Sequence, residues 1–406
     1  MGMCRDAGDG RETDMERISI IHLLAGALLA GAPLAARAEC SDPPAPAVIW
    51  RACDMTGTDL KEQNLAGANL QGINLENSDL EGVHLEAANL QGARLARADL
   101  TKTFLAGANL RDADLTDADL SDADLAGADL QGADLEGTVL ESADLTGAQL
   151  AGVDLRGAKL EHTKLKDAKL KGANLQRIKL SSADLQRADL EGANLEFASL
   201  WGADLAGSDL RMAKLKGASL SSAKLNGANL KGADLRAVNF TSARLQSANL
   251  EGASLRGAIL ESADLSGADL RGAVLTDAIL LNTNLTGVKL QGATLRRANL
   301  SGGASLAGAV LAGSDLEGIQ LLGIDLRGAN LQGANLRRAA LKVSKFQDAN
   351  LKGADLRDAF VVGGEFRGID LTNAVLEGVS FRGVDLTGAI WSDGRVCAPG
   401  SMDVCK

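Results

Sequence analysis

The chain has 406 residues, of which 46% are hydrophobic and 23% charged, with a formal net charge of −11. Aromatic residues make up 2%, Tyr is absent and Pro occurs only 5 times, which excludes an aromatic-rich globular core, a Pro-rich disordered chain and collagen. The acidic balance favours solubility and basic partners, and works against non-specific binding to nucleic acid or anionic lipid.

Residues 18–35 (ISIIHLLAGALLAGAPLA) are apolar and rich in small side chains, and Ala36-Arg37-Ala38 follows as an A-x-A cleavage pattern. Residues 1–38 therefore read as a secretory signal peptide cut after Ala38, which places the mature chain in a periplasmic or secreted location. Met15 opens a tidier leader than the net-acidic flank at Met1, so either residue fits as the start. A single membrane anchor is the competing reading. The stretch is slightly short for one and is interrupted by Pro33, and no other segment is apolar enough to cross a membrane.

Cleavage removes Cys4 and leaves Cys40, Cys53, Cys397 and Cys405, two at each end. The simplest framework for an exported chain is Cys40–Cys53 and Cys397–Cys405. Cys53 also occupies an inward position and could serve there as a small buried hydrophobe. The pairs lie too far apart in sequence for one zinc site, and neither is C-x-x-C, so metal and redox roles are not expected.

Residues 39–47 form a lead-in stiffened by Pro43, Pro44 and Pro46. A five-residue unit then repeats from 48 to 391, and residues 392–406 form a C-terminal cap. The clearest copies, residues 111–135, read RDADLTDADLSDADLAGADLQGADL. Their centres are Leu115, Leu120, Leu125, Leu130 and Leu135, each preceded by two residues by Ala. Centres recur every fifth residue from Trp50 to Leu300, shift by one at Ser301-Gly302-Gly303, and resume from Leu306 to Trp391. Phe240, Phe346, Phe366 and Phe381 replace Leu in kind, and Gln63 is an outlier at a small-residue position. Self-similarity at a fixed period signals a solenoid.

Residues two apart on extended chain point the same way, so Ala and Leu both face inward and the chain turns a corner before the next pair. Gly is frequent in that corner. A helix would smear this pattern around its circumference. A bare end would expose apolar columns and open edges, so Trp50, Trp391 and a Cys397–Cys405 lid are expected to act as caps.

Tandem A(D/N)LXX over residues 48–391 resembles the pentapeptide repeat family. The resemblance implies an all-β, right-handed quadrilateral β-helix with four pentapeptides per coil. The 69 units then make about 17 coils, with disulfide-tied ends, in a rod about 80 Å long at about 4.8 Å per coil.

With two of five positions buried, the other three face water. Residues 111–144 hold 11 acidic side chains and one basic, whereas residues 156–179 hold 8 basic and 2 acidic. Lys159 and Lys179 should share a face. The hand-over from an acidic to a basic collar suits either a solvated surface or charge-complementary docking between rods. Apolar residues in outward positions mark partner-surface candidates. These are Trp201 with Phe197 just across the corner, and Ile259 and Ile279 on one face near Val274 and Leu281. Phe104, Phe360 and Val362 also take outward slots. His84 and His162 lack triad partners, no catalytic or cation-binding motif occurs, and no catalytic, cofactor or metal residues are expected.

The resulting expectation is an exported, non-catalytic scaffold that presents patches to a protein partner or to itself. The alternative is a DNA mimic of the kind by which some members of the resembled family inhibit type II topoisomerases. The leader and the basic collar weigh against that alternative.

Overall fold

A computed structural model describes residues 40–406; the expected leader and its cleavage site lie outside them. Each repeat closes a corner and then runs straight for three residues. Ala113 N–H donates to Leu110 O (3.1 Å), closing a turn over Arg111 and Asp112. Asp112 has φ 57°, and the equivalent Gly127 has φ 67°. This is the left-handed third position that a type II turn demands, and it explains the Gly content of the corners.

Asp or Asn before each centre has a structural task in addition to facing water. Asp114 Oδ1 accepts the Thr116 N–H (3.1 Å), Asp124 that of Ala126 (3.0 Å), and Asp134 that of Glu136 (3.1 Å). The carboxylate reaches two residues ahead and braces the next corner, as Asp and Asn side chains do in turns generally.

The straight segments pair with those above and below. Leu115 N–H donates to Asp134 O (2.9 Å), and Asp134 N–H to Ala113 O (2.9 Å). Parallel bridges join residues 20 apart, from Ile49↔Asn69 onward, so one coil holds four pentapeptides and the solenoid has four sides. Side I runs Ile49, Asn69, Asn89; side II Asp54, Asn74, Arg94; side III Asp59, Asp79, Asp99; side IV Asn64, His84, Phe104. The extra residue at 301–303 is absorbed in a corner, where Gly302 and Gly303 take φ 86° and 95°. Pairing continues across it as Asn284↔Ser305, although two ladder bonds there lengthen, Leu300 N–Gln320 O to 3.4 Å and Gln320 N–Ala298 O to 3.5 Å.

Beyond that insertion side III broadens into true strands: β1 Gln320–Leu322, β2 Ala340–Lys342, β3 Phe360–Val362 and β4 Ser380–Arg382, in one parallel sheet of order β1-β2-β3-β4. The corner after β1 opens, and the Ile324 N–H meets Ser344 Oγ (3.4 Å).

The core is a stack of Leu columns, with Leu115, Leu120, Leu125, Leu130 and Leu135 all at most 1% exposed. Phe346 and Phe366 stack inside it, with centroids 4.7 Å apart. Buried hydroxyls are satisfied: Thr138 donates to Leu115 O (3.0 Å) and Thr163 to Leu140 O (2.9 Å).

At the N-terminal end Trp50 is fully buried, and Cys40 is joined to Cys53, whose Cα lies 5.6 Å away. At the other end Cys397 is joined to Cys405, and residues 396–402 cross the last coil antiparallel as Asp385↔Met402 and Ile390↔Val396. Phe381 packs against Trp391 at 5.7 Å. Among the described residues no helix is long and apolar enough to cross a membrane.

Candidate interaction surface

The four sides carry different chemistry. On side III the outward column reads Asp59, Asp79, Asp99, Asp119, then Val139, then Lys159 and Lys179. It continues as Ser199, Ser219, Asn239, Ile259, Ile279, Asn299, Gln320, Ala340, Phe360 and Ser380. None of those last ten is charged. In the same coils side IV presents Asp204, Lys224, Arg244, Asp264, Asn284, Ser305, Asp325, Lys345, Glu365 and Asp385, eight of them charged. Side III thus differs sharply from side IV, and the uncharged run is not accounted for by the chain's average composition.

Apolar side chains border that run. Trp201 is 55% exposed on the corner that follows side III, and Leu322, on the same corner six coils further on, is 50% exposed. Ile279 and Phe360, within the column, are 36% and 42% exposed. Ile259 and Ile279 pair directly across adjacent coils. Leu281 lies half-buried on the following corner, and Ser262 N–H donates to its carbonyl (2.8 Å). Val274 stands apart, because it belongs to side II, between Ser254 and Thr294. Phe197 and Trp201 are also further apart than one corner: the straight segment 198–200 lies between them, so they flank side III on its two edges. The Phe197 ring lies over Gly217 of the next coil, and Arg177 of the preceding coil sits 5.7 Å from its centroid.

Met212, Val375, Val396, Met402 and Val404 are exposed apolar residues elsewhere that escaped the sequence reading, and on the corner after side III Leu322 and Val343 escaped it too. The signal of these last two was available every twentieth residue along side III, but only after adding one residue at the 301–303 insertion.

Charges elsewhere are mostly paired locally. A recurrent Asp-Leu-Arg unit folds Arg back on Asp: Arg211 Nε reaches Asp209 at 2.8 and 2.9 Å, and Arg271 reaches Asp269 at 2.8 and 3.0 Å. The Arg211 and Arg271 guanidiniums hold those carboxyls below the usual carboxylate range despite partial burial. Asp189, Glu191 and Asp209 approach one another closely enough for a cation, but Arg211 and Lys171 already occupy Glu191 (3.0 and 3.1 Å). His84 stacks on Phe104, with centroids 4.5 Å apart, and its Nδ1 meets Glu86 Oε1 at 3.0 Å.

A shallow cleft of about 400 Å³ opens on side II between Asp134, Glu136, Asp154 and Arg156. The Leu130 N–H still meets Gln149 O (2.9 Å), whereas the equivalent bonds from Gly132, Leu135 and Gly137 are absent among the described residues. A Cβ at Gly132 or Gly137 would fall onto the carboxylates of Asp112 and Asp117. The ladder thus parts at the level where acidic coils give way to basic ones. Within the cleft Arg156 Nε is held on Asp154 at 3.0 and 2.9 Å, which leaves no free cation to receive an anion.

Among solved structures, the chain is similar to HetL, a pentapeptide repeat protein involved in heterocyst differentiation regulation in the cyanobacterium Nostoc. Identity is 36%, over 58% of this chain and 90% of that one, with a TM-score of 0.21. It is also similar to QnrB1, a plasmid-mediated fluoroquinolone resistance protein, at 23% identity over 46% of this chain and 88% of that one, with a TM-score of 0.25. A third is a pentapeptide repeat protein of the Arabidopsis thaliana thylakoid lumen, at 28% identity over 35% and 72% of the two chains, with a TM-score of 0.13. No curated protein sequence matches the chain. The family description "Pentapeptide repeats (8 copies)" matches consecutive and overlapping segments from 51–82 to 344–388, most of the described solenoid. The chain belongs to the pentapeptide repeat family.

Proposed function

We propose that this chain is a non-catalytic, exported scaffold, a right-handed quadrilateral rod whose uncharged side III receives a protein partner. Bridges running from Ile49 to Ile390 at 20 residues each correspond to about 17 coils. The observation that carries the proposal is the column of ten uncharged residues from Ser199 to Ser380, with Ile279, Phe360, Trp201 and Leu322 exposed along it. A rod that keeps charge on side IV but removes it from side III presents a strip that desolvates cheaply. The corner on one edge mixes Lys216, Arg236, Arg256, Arg296, Arg337 and Arg357 with Glu196, Glu317 and Glu377, and Arg236, Arg296 and Arg357 are paired within the chain, so the partner is expected to carry an apolar strip with a polar border. Two terminal disulfides fit an oxidising compartment, in keeping with export and cleavage after Ala38.

A DNA mimic needs a continuous acidic column. On side III the carboxylates end at Asp119 and lysines follow at Lys159 and Lys179, which favours the scaffold.

Photo-crosslinkers placed at Ile259, Ile279 and Phe360, and for comparison at Asp264, Asn284 and Glu365 of side IV, test the reading in the native extracytoplasmic fraction. Crosslinks concentrated on side III support it; equal labelling of both sides rejects it. N-terminal sequencing that finds Met1 or Met15 on the accumulated protein would remove the export component alone.

A further inference from the structure

We propose that the charged half of side III is a self-complementary interface through which two copies of this chain pair antiparallel. The inference extends the scaffold reading to a second part of the same side.

The column Asp99, Asp119, Val139, Lys159, Lys179 is antisymmetric in charge about Val139. It spans four coil steps, about 19 Å at about 4.8 Å per step. A twofold axis lying in the interface at Val139, perpendicular to the rods, sets Asp119 against Lys159 of the second copy and Asp99 against Lys179 of the second copy. Each pair forms twice, because such an interface uses one patch on both molecules. A parallel arrangement would oppose like charges, so the column selects antiparallel pairing.

These charges lack partners within the chain. Ion pairs in the neighbouring coils are made by Arg156, Lys164, Lys171 and Arg187. Among the described residues no carboxylate lies within ion-pair distance of Lys159 or Lys179, and both are exposed. Asp99 and Asp119 only brace their corners, accepting from Thr101 N–H and Ser121 N–H (both 3.0 Å). Val139, half-buried on the axis, meets its own copy. Elsewhere on this side oppositely charged residues do pair within the chain, as Lys61 does with Asp79 at 3.0 Å.

The side chains that meet like charges, Glu136 and Glu141 with their own copies, Asp122 with Glu161 and Arg97 with Arg177, stand on the two corners. There water and salt screen them most, while the complementary pairs run along the covered midline. One side of five coils is a small interface, so pairing belongs to the weak, transient class and is strongly salt-dependent.

Sedimentation equilibrium of the mature, oxidised chain tests the proposal. The expected result is a dimer at low ionic strength that dissociates near 1 M salt, where the screening length falls to about 3 Å. Lys159→Glu with Lys179→Glu should weaken dimerisation about tenfold or more, as should Asp99→Lys with Asp119→Lys. Mixing the two reversed variants should restore a one-to-one dimer. Asp99→Asn with Asp119→Asn keeps the corner braces and removes only charge; it should also weaken the dimer, which separates the interface from folding. A chain that stays monomeric at low salt, a dimer indifferent to the reversals, or reversed variants that do not pair with each other would each overturn the proposal. Crosslinking at Ile259, Ile279 and Phe360 reads the other half of the side, so either result stands or fails separately.

Discussion

The ring of Phe197 occupies the space that a Cβ at Gly217 would need, with its Cδ1 2.7 Å from that position. Gly217 also has φ 68°, so it answers both to its own turn and to the side chain one coil away. Gly217→Ala is expected to lower stability by about 1 kcal/mol through the left-handed backbone, with a further loss as the ring is displaced. Combining it with Phe197→Ala should recover the second part only. Denaturant titration of the two single variants and the double checks this; strictly additive losses would show that the ring does not touch residue 217.

Leu125 is fully buried in one of four continuous columns. Leu125→Ala should cost about 2–5 kcal/mol, because coils held by ladders above and below collapse poorly around a cavity. Leu125→Asp should prevent accumulation of folded chain, since the carboxylate would be buried unpaired. Circular dichroism and denaturant midpoints measure both, and a loss below about 1 kcal/mol for the Ala variant would place Leu125 outside a packed core.

Asp385 accepts from Thr387, both side chain and backbone, and pairs with Arg367 at 2.6 Å. Those bonds, Thr387 foremost, lower its carboxyl from the ordinary 3.8 to about 2. A carboxyl depressed in the folded state stabilises it above the unfolded value and loses that contribution as pH falls through the folded value. Asp385→Asn should therefore narrow the melting-temperature difference from the parent between pH 4 and pH 2. A gap that stays constant through that window would show that the depression is absent.

The C-terminal lid is closed by Cys397–Cys405, eight residues apart, and lies antiparallel on Asp385 and Ile390. Cys397→Ser with Cys405→Ser should lower stability by about 2–3 kcal/mol, the loop-closure term for so short a loop. Amide exchange should rise first at Leu386 and Gly388, whose N–H groups donate to Ser401 O and Cys397 O (both 2.9 Å). Uniform exchange along the rod would instead mean that the lid does not protect the last coil.

Much of this architecture was legible in residues 111–135, because alternation of inward and outward side chains is a property of extended backbone over two residues, and a corner is a property of four. The Asp residues were half-read. Their outward direction follows from alternation, but their bracing of the next corner, as Asp114 does for Thr116, depends on the turn conformation. Surface patches were less legible. Ile259 and Ile279 share a column, as their 20-residue spacing implies, whereas Val274, five residues from Ile279, lies on another side and Phe197 and Trp201 flank a whole side.

The sequence by itself determined the unit, the identity of the core residues and the corners, since these follow from local periodicity and backbone sterics. Only the tertiary structure decided which residues become neighbours across coils. That depends on closure after 20 residues, on pairing that persists over the insertion as Asn299↔Gln320, and on a lid that folds back antiparallel. The contrast between the uncharged run from Ser199 to Ser380 and the charged column beside it exists only once the ladder has aligned residues that the chain keeps 20 apart.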